Sequence, residues 1–170
     1  MDLQKYIRII EDFPTVWISF KDITPLLESP EALKYTIEEM TKKIWKVDKI
    51  VALESRWFIF WSIIAYNLWI PLINARKIWK LPHDTIHMDY RLDYWIGSME
   101  IHKYSINEWE RVAIIDDLLA TWHTAEVSAK LVEKLWWIVD SINFVINLKF
   151  LDWKERLEWY KINSLLDLEY

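Results

Sequence analysis

The sequence predicts an α/β protein built on a mainly parallel sheet with helices on its faces. Three observations carry that prediction. Unbroken apolar runs such as Ile50-Val51-Ala52-Leu53 and Val112-Ala113-Ile114-Ile115 read as strands covered on both sides. Segments with helical spacing alternate with these runs. The chain of 170 residues, 53% hydrophobic and 28% charged, suits one globular domain (1–170) with a real core and is short for two.

Taken in order, Pro30 to about Lys43 reads as a helix after the turn-like Glu28-Ser29-Pro30. Lys49 to Leu53 is a short buried strand. From Trp57 to Ala75 there are 19 residues without a charge, the length of a membrane span. Asn67, Pro71 and Asn74 interrupt it, and no second such stretch exists. A helix from Phe58 to Leu68, a break at Trp69 and a strand Ile70-Pro71-Leu72-Ile73 fit better, with no membrane partner. Arg111 to Ile115 is a third strand, ending on Asp116-Asp117. Ala125, Ser128, Ala129, Val132 and Leu135 mark one face of a helix from Thr124 to Leu135. Ile138 to Leu148 and Ser164 to Leu168 are strand-like.

Charge and composition remove several function classes. With 21 basic against 26 acidic residues the net charge is −5, which disfavours bulk binding of nucleic acid. No cysteine is present, so disulfides, thiolate metal sites and cysteine nucleophiles are excluded. The charged start Met1-Asp2-Leu3-Gln4-Lys5 makes the cytoplasm the expected location.

One imbalance stands out. A chain of this size should hold about 12 glycines at the usual ~7%; this one holds 1, together with 13 tryptophans. The tryptophans sit at punctuation points. Trp69 follows a helix and precedes Ile70-Pro71, the place of a helix-stopping glycine. Trp136-Trp137 separate a helix from a strand. Trp17, Trp79, Trp109 and Trp122 all fall in turns. A tryptophan-rich binding surface would need a regular one-face spacing, and none is found.

Val112-Ala113-Ile114-Ile115-Asp116-Asp117-Leu118-Leu119-Ala120-Thr121-Trp122-His123-Thr124-Ala125 closely resembles the phosphoribosyl diphosphate motif of adenine phosphoribosyltransferases. Phe13 to Leu27 resembles the family's N-terminal Pro-x-x-Gly-(x)₂-Phe-Arg/Lys-Asp-Ile-Thr. Glu54-Ser55-Arg56-Trp57-Phe58, Arg76-Lys77-Ile78-Trp79-Lys80-Leu81-Pro82 and Leu92-Asp93-Tyr94-Trp95 resemble three further family segments, in order, along nearly the whole chain. At 17, 57, 61, 69, 79, 95, 109, 122, 136, 137, 153 and 159 the family has, or commonly has, glycine. At Trp45, in a variable loop, glycine is also plausible. A single cause would account for them all: UGA codons that the source reads as glycine and a translation renders as tryptophan. UGG at these codons would end that explanation.

The chemistry of the central motif can be argued from the residues. Two carboxylates at the C-terminal end of a buried strand lie where open α/β sheets bind ligands. Asp116 and Asp117 can hold the two hydroxyls of a ribose and help position Mg²⁺ on a polyphosphate. The turn Ala120-Thr121-Trp122-His123-Thr124 leads into a helix whose free N–H groups make a phosphate nest, aided by the two threonine hydroxyls. The plainer alternative is an acidic turn with a capping threonine. Glycine fits residue 122, whereas an indole would fill the phosphate site. His123, where the family has glycine, either contacts the phosphate or faces solvent, and no cluster of ligands around it suggests a metal.

The resemblance implies the remaining roles. Arg56, Arg76, Lys77 and Lys80 would face the diphosphate leaving group, partly from a neighbouring subunit. Ser19, Phe20 and Lys21 would form the adenine-binding part of a hood at about 1–30, although a core role for Phe20 fits its local sequence equally. Asp93 and Tyr94 would lie on a mobile loop, about 82–102, that closes over the reacting ribose. Asp93, Tyr94 and Arg56 would be catalytic. The family usually has glutamate at Asp93, and the shorter side chain changes its reach in proton transfer. The implied protein is a Mg²⁺-dependent, homodimeric enzyme of purine salvage with the type I phosphoribosyltransferase fold, converting adenine and phosphoribosyl diphosphate to AMP and diphosphate. Alternatives are a relative acting on another base, a non-catalytic regulator that binds phosphoribosyl diphosphate, or, with genuine tryptophans, a catalytically dead or binding protein.

Overall fold

The computed structural model describes the chain except residues 45, 55–57, 93–94, 106, 121, 152–153 and 170, and except the side chains at 90–92, 95–96, 122 and 154–155. It divides into two compact units, Met1–Glu39 and Met40–Tyr170. The first holds a two-stranded antiparallel sheet, β1 (Arg8–Ile10) and β2 (Phe20–Asp22), in the register Ile10 to Phe20 and Arg8 to Asp22. It continues into α1 (Thr24–Glu28) and the start of α2 (Pro30–Lys43). Ser29 Oγ accepts the Ala32 N–H at 3.2 Å, capping α2 where the turn signal predicted a start.

The second unit carries β3 (Lys49–Leu53), α3 (Phe58–Leu68), β4 (Leu72–Lys77), β5 (Thr85–Leu92), β6 (Trp95–His102), β7 (Arg111–Leu119), α4 (Trp122–Lys134), β8 (Ile138–Leu148), α5 (Lys154–Leu157) and β9 (Ile162–Leu168). These strands form a seven-stranded sheet in the order β5-β6-β4-β3-β7-β8-β9. The five strands β4, β3, β7, β8 and β9 are parallel, while the β5–β6 hairpin joins antiparallel through β6. The predicted α/β class is therefore the observed one. Its core sits where the apolar runs indicated. Val112 to Ile115 on β7 and Ile50 to Leu53 on β3 are wholly buried, and Ala125, Ala129 and Val132 of α4 share one cluster with Val51, Leu53, Val112 and Ile114.

Several boundaries differ from the sequence reading. β7 does not end at the aspartates but runs through them to Leu119, because β8 continues alongside, pairing Asp116 with Phe144 and Leu119 with Asn147. β4 begins at Leu72 rather than Ile70; Pro71, with no N–H, only offers its carbonyl to Ile50, at 3.0 Å. α4 begins at Trp122, two residues before Thr124, and β9 begins at Ile162. The span expected as a loop, about 82–102, holds the β5–β6 hairpin. Among the described residues no helix is long and apolar enough to cross a membrane.

Eight non-glycine residues have positive φ among those described, and five are tryptophans: Trp17 (74°), Trp69 (57°), Trp79 (67°), Trp109 (69°) and Trp136 (63°). Trp69 is the left-handed residue of a Schellman ending to α3, in which its N–H donates to Tyr66 at 3.2 Å and the Ile70 N–H donates to Ala65 at 3.1 Å. Trp136 occupies the same place after α4, donating to Glu133 at 2.9 Å. These are sites where a Cβ is a steric burden and glycine is at home. Their indoles gain little in return, Trp17, Trp69 and Trp79 being 94%, 87% and 88% exposed. Trp61 and Trp137 are buried instead, and the Trp61 indole N–H has no hydrogen-bond partner among the described residues.

Candidate active site

Parallel strands end on a common edge, and the register shows which residues share it. Ala52 of β3 pairs with Ile115 of β7, so Asp116 and Asp117 follow at the level where β3 gives way to Glu54. Leu53 pairs with Ala75 of β4, which sets Arg76 and Lys77 one step further along that edge. α4 starts at Trp122, three residues after β7 ends, so its N-terminus belongs to this edge too. One sheet edge thus gathers two aspartates, two cations and a helix N-terminus, the crevice in which open α/β sheets bind ligands.

The aspartates face each other's charge. The Asp117 N–H donates to Asp116 Oδ1 at 3.0 Å. The Asp116 carboxyl is held well above the usual carboxylate range, first by desolvation and then by the neighbouring Asp117. The residue is half-buried rather than sealed, so water still reaches this edge while protein surrounds the carboxyl deeply enough for desolvation to dominate. An acid in that position becomes a stronger acceptor of hydroxyl hydrogen bonds once cations or a sugar settle beside it. His123 and Thr124 are half-buried in the first turn of α4, and the Thr124 carbonyl accepts from Ser128 Oγ at 2.7 Å. Ala120, also half-buried, links β7 to that turn.

The cations are organised by a carboxylate that the sequence reading quoted but gave no role. Glu54 Oε2 accepts the Lys77 N–H at 2.7 Å and lies 3.4 Å from Arg76 Nε, an ion pair rather than an aligned hydrogen bond. Arg76 Nη2 reaches Glu54 Oε1 at 3.5 Å, and its Nη1 donates to the Lys80 carbonyl at 3.3 Å. Lys77 and Lys80 are exposed, and Lys80 has no ion-pair partner among the described residues. Fixed cations beside free ones make a surface suited to a polyanion.

In the first unit, Phe20 and Lys21 lie on β2 with Ser19 just before it. Phe20 is half-buried and meets Phe13 edge-on, ring centroids 5.3 Å apart. Lys21 is buried; its Nζ donates to Ser19 Oγ at 2.8 Å, which donates in turn to Glu11 Oε1 at 3.1 Å. Glu11 was missed by sequence reasoning, which has no signal for a partner eight residues away across a turn. Asp22 accepts both the Thr24 Oγ1 at 2.6 Å and its N–H at 2.9 Å, and with Arg8 at 2.9 Å these hold its pKa down. Arg56, Asp93, Tyr94 and Thr121 lie outside the described residues, as does the side chain of Trp122.

No family model matches the chain. Individual proteins do. The chain is 48% identical over 168 residues to the adenine phosphoribosyltransferase of Methanococcus maripaludis, covering 98% of each. It is 47% identical over 167 residues to that of a Thermoanaerobacter species, covering 97% of this chain and 96% of the relative. Among solved structures, the adenine phosphoribosyltransferase of Thermoanaerobacter pseudethanolicus superimposes with a TM-score of 0.93 at 46% identity, covering 98% of both. The Saccharomyces cerevisiae enzyme, solved with an imino-altritol bisphosphate and adenine, gives 0.88 at 31% identity over 97% of both.

Proposed function

The chain belongs to the adenine phosphoribosyltransferases, purine-salvage enzymes of the glycosyltransferase class that make AMP from adenine and phosphoribosyl diphosphate, and from that premise we propose how its residues divide the work. The observation that supports the division best is the shared sheet edge holding Asp116, Asp117, Arg76, Lys77 and the start of α4. Asp116 and Asp117 accept the two ribose hydroxyls. Backbone N–H groups from Ala120 to Thr124, with the Thr121 and Thr124 hydroxyls and the His123 region, hold the 5′-phosphate at the head of α4. Arg56, Arg76, Lys77 and Lys80 face the diphosphate, so that charge building on the departing group meets fixed cations. Ser19, Phe20 and Lys21 take the adenine within the hood, about 1–30, of a single catalytic domain. Asp93 and Tyr94 close over the ribose from the span at about 82–102 and exclude water while the bond to N9 of adenine forms and the bond to diphosphate breaks.

Hard oxygen donors at Asp116 and Asp117 suit Mg²⁺, yet no group of three or more ligating side chains is found among the described residues. Two carboxylates fit an ion held mainly by the oxygens of the substrate. When bound there, Mg²⁺ would neutralise the diphosphate charge. The working enzyme is a cytoplasmic homodimer, with cations shared between the subunits.

Residue 122 opens the phosphate nest, and the working enzyme carries glycine there, as at the other tryptophan positions. The five tryptophans with positive φ support this. Reading the thirteen tryptophan codons tests it: UGA supports recoding and UGG overturns it. The function itself is tested by following AMP and diphosphate from adenine, phosphoribosyl diphosphate and Mg²⁺. Adenine-dependent turnover is expected from the glycine-bearing chain. Trp122 in place of that glycine is expected to lower turnover on the order of 10²-fold or more, the scale for losing preorganised contacts to an anion. Equal rates for both chains would remove residue 122 from the phosphate site.

A further inference from the structure

Glu100 is a buried carboxylate, 4% exposed, on β6 opposite Arg76 of β4. Burying a carboxylate is costly unless its oxygens are occupied by donors. Here Oε1 accepts the N–H groups of Lys80 and Leu81, each at 2.9 Å, and Oε2 accepts Thr85 Oγ1 at 3.1 Å. Two of the donors are backbone groups of consecutive residues in the turn that carries Lys80, and the third is the side chain of the first residue of β5. The same turn is tied at its start, where the Ile78 N–H donates to the Ser98 carbonyl at 3.1 Å, and at Lys80, whose carbonyl accepts from Arg76. Between these ties lies residue 79, with φ at 67°. The Lys80 side chain is exposed on this pinned backbone, without an ion-pair partner among the described residues.

We infer that Glu100 is the positioning residue of the diphosphate site: it acts on the leaving group through the Lys80 turn, whose backbone it fixes by two adjacent N–H groups. The inference rests on the reading that Lys80 faces diphosphate. A flexible lysine loses rotamer and backbone freedom on gripping an anion, and a turn already held in place has less to lose. Removal of the carboxylate leaves two N–H groups without an acceptor and frees the turn to find others.

The test measures binding of inorganic diphosphate with Mg²⁺ by calorimetry, and of AMP as the control, in the full-length chain. Diphosphate needs the cation turn, while AMP needs the aspartates, the phosphate nest and the hood. Glu100→Leu is expected to weaken diphosphate roughly tenfold, with AMP within about twofold. Glu100→Gln keeps a carbonyl oxygen for both N–H groups and is expected to restore diphosphate affinity to within about threefold. Unchanged diphosphate affinity in Glu100→Leu overturns the inference, and so does an equal loss of both ligands, which marks a purely structural residue. If Glu100→Leu does not fold, Glu100→Asp, a methylene shorter, is judged by the same split. Lys80→Ala separates the two ideas. If it leaves diphosphate binding intact, the reading of Lys80 fails and the inference with it; if it weakens binding while Glu100→Leu does not, only the inference fails.

Discussion

Trp17→Gly, Trp69→Gly, Trp79→Gly, Trp109→Gly and Trp136→Gly, combined in one chain, are expected to raise the melting temperature by roughly 10 °C. Each residue sits in the left-handed region, where an L-residue with a Cβ pays on the order of 1 kcal/mol or more. Glycine gives part of that back through its freer unfolded chain. At this chain length about 1 kcal/mol moves the midpoint by roughly 2–4 °C. Little packing is lost, since the indoles are exposed. The sum is not simple, because Trp109 and Trp136 are coupled. The Trp109 N–H donates to the Trp136 carbonyl at 2.9 Å and their rings stand 6.5 Å apart, so either single change already removes the ring contact and the combined chain loses it only once. Thermal melts of the five single variants and the combined one check this. A combined melt no higher than the parent would mean that the tryptophans are accommodated after all.

Those five positions also show how the sequence could be read. A helix end or turn is visible from its neighbours: Leu68 closes an uncharged apolar helix and Pro71 forbids its return, so the intervening residue must turn the chain whatever its name. α3 was legible to the residue for that reason, and β3 and β7 because burial on both faces leaves continuous apolar runs. The β5–β6 hairpin was read only as a loop, although Ile86, Met88, Tyr90 and Leu92 alternate with polar residues in β5. That period-two signal was present and was outweighed by the family's loop. In the site, the cations and aspartates were legible because their types and order carry the motif. Glu54, Glu11 and Glu100 were not assigned roles, because a carboxylate that serves a backbone N–H or a hydroxyl distant in sequence leaves no spacing pattern in its own segment.

Asp116→Asn is expected to stabilise the protein at neutral pH while lowering kcat/KM on the order of 10- to 100-fold, the range of a hydrogen bond to a charged group. The stability effect follows from the raised pKa of Asp116, caused by desolvation and then by Asp117. An unfolded aspartate titrates at about 3.9. Below that pH both states hold the proton, and the folded state keeps its full advantage. As the pH rises through the higher folded value the carboxyl must ionise where charge is disfavoured, and that advantage is lost. The asparagine stays neutral throughout and retains an oxygen for the Asp117 N–H, which now donates to Asp116 Oδ1. The stability of Asp116→Asn relative to the parent should therefore grow as the pH climbs from about 4 and level off above the folded pKa. Urea unfolding of both chains between pH 4 and 8 measures the difference for the Asp116–Asp117 pair, whose charges act on each other, with the remaining titrating groups common to both. A difference that is flat with pH would show that Asp116 ionises normally in the folded chain. The two effects with opposite signs would mark Asp116 as a group whose charge costs stability and, on the reading proposed above, is kept there to accept from the ribose hydroxyls.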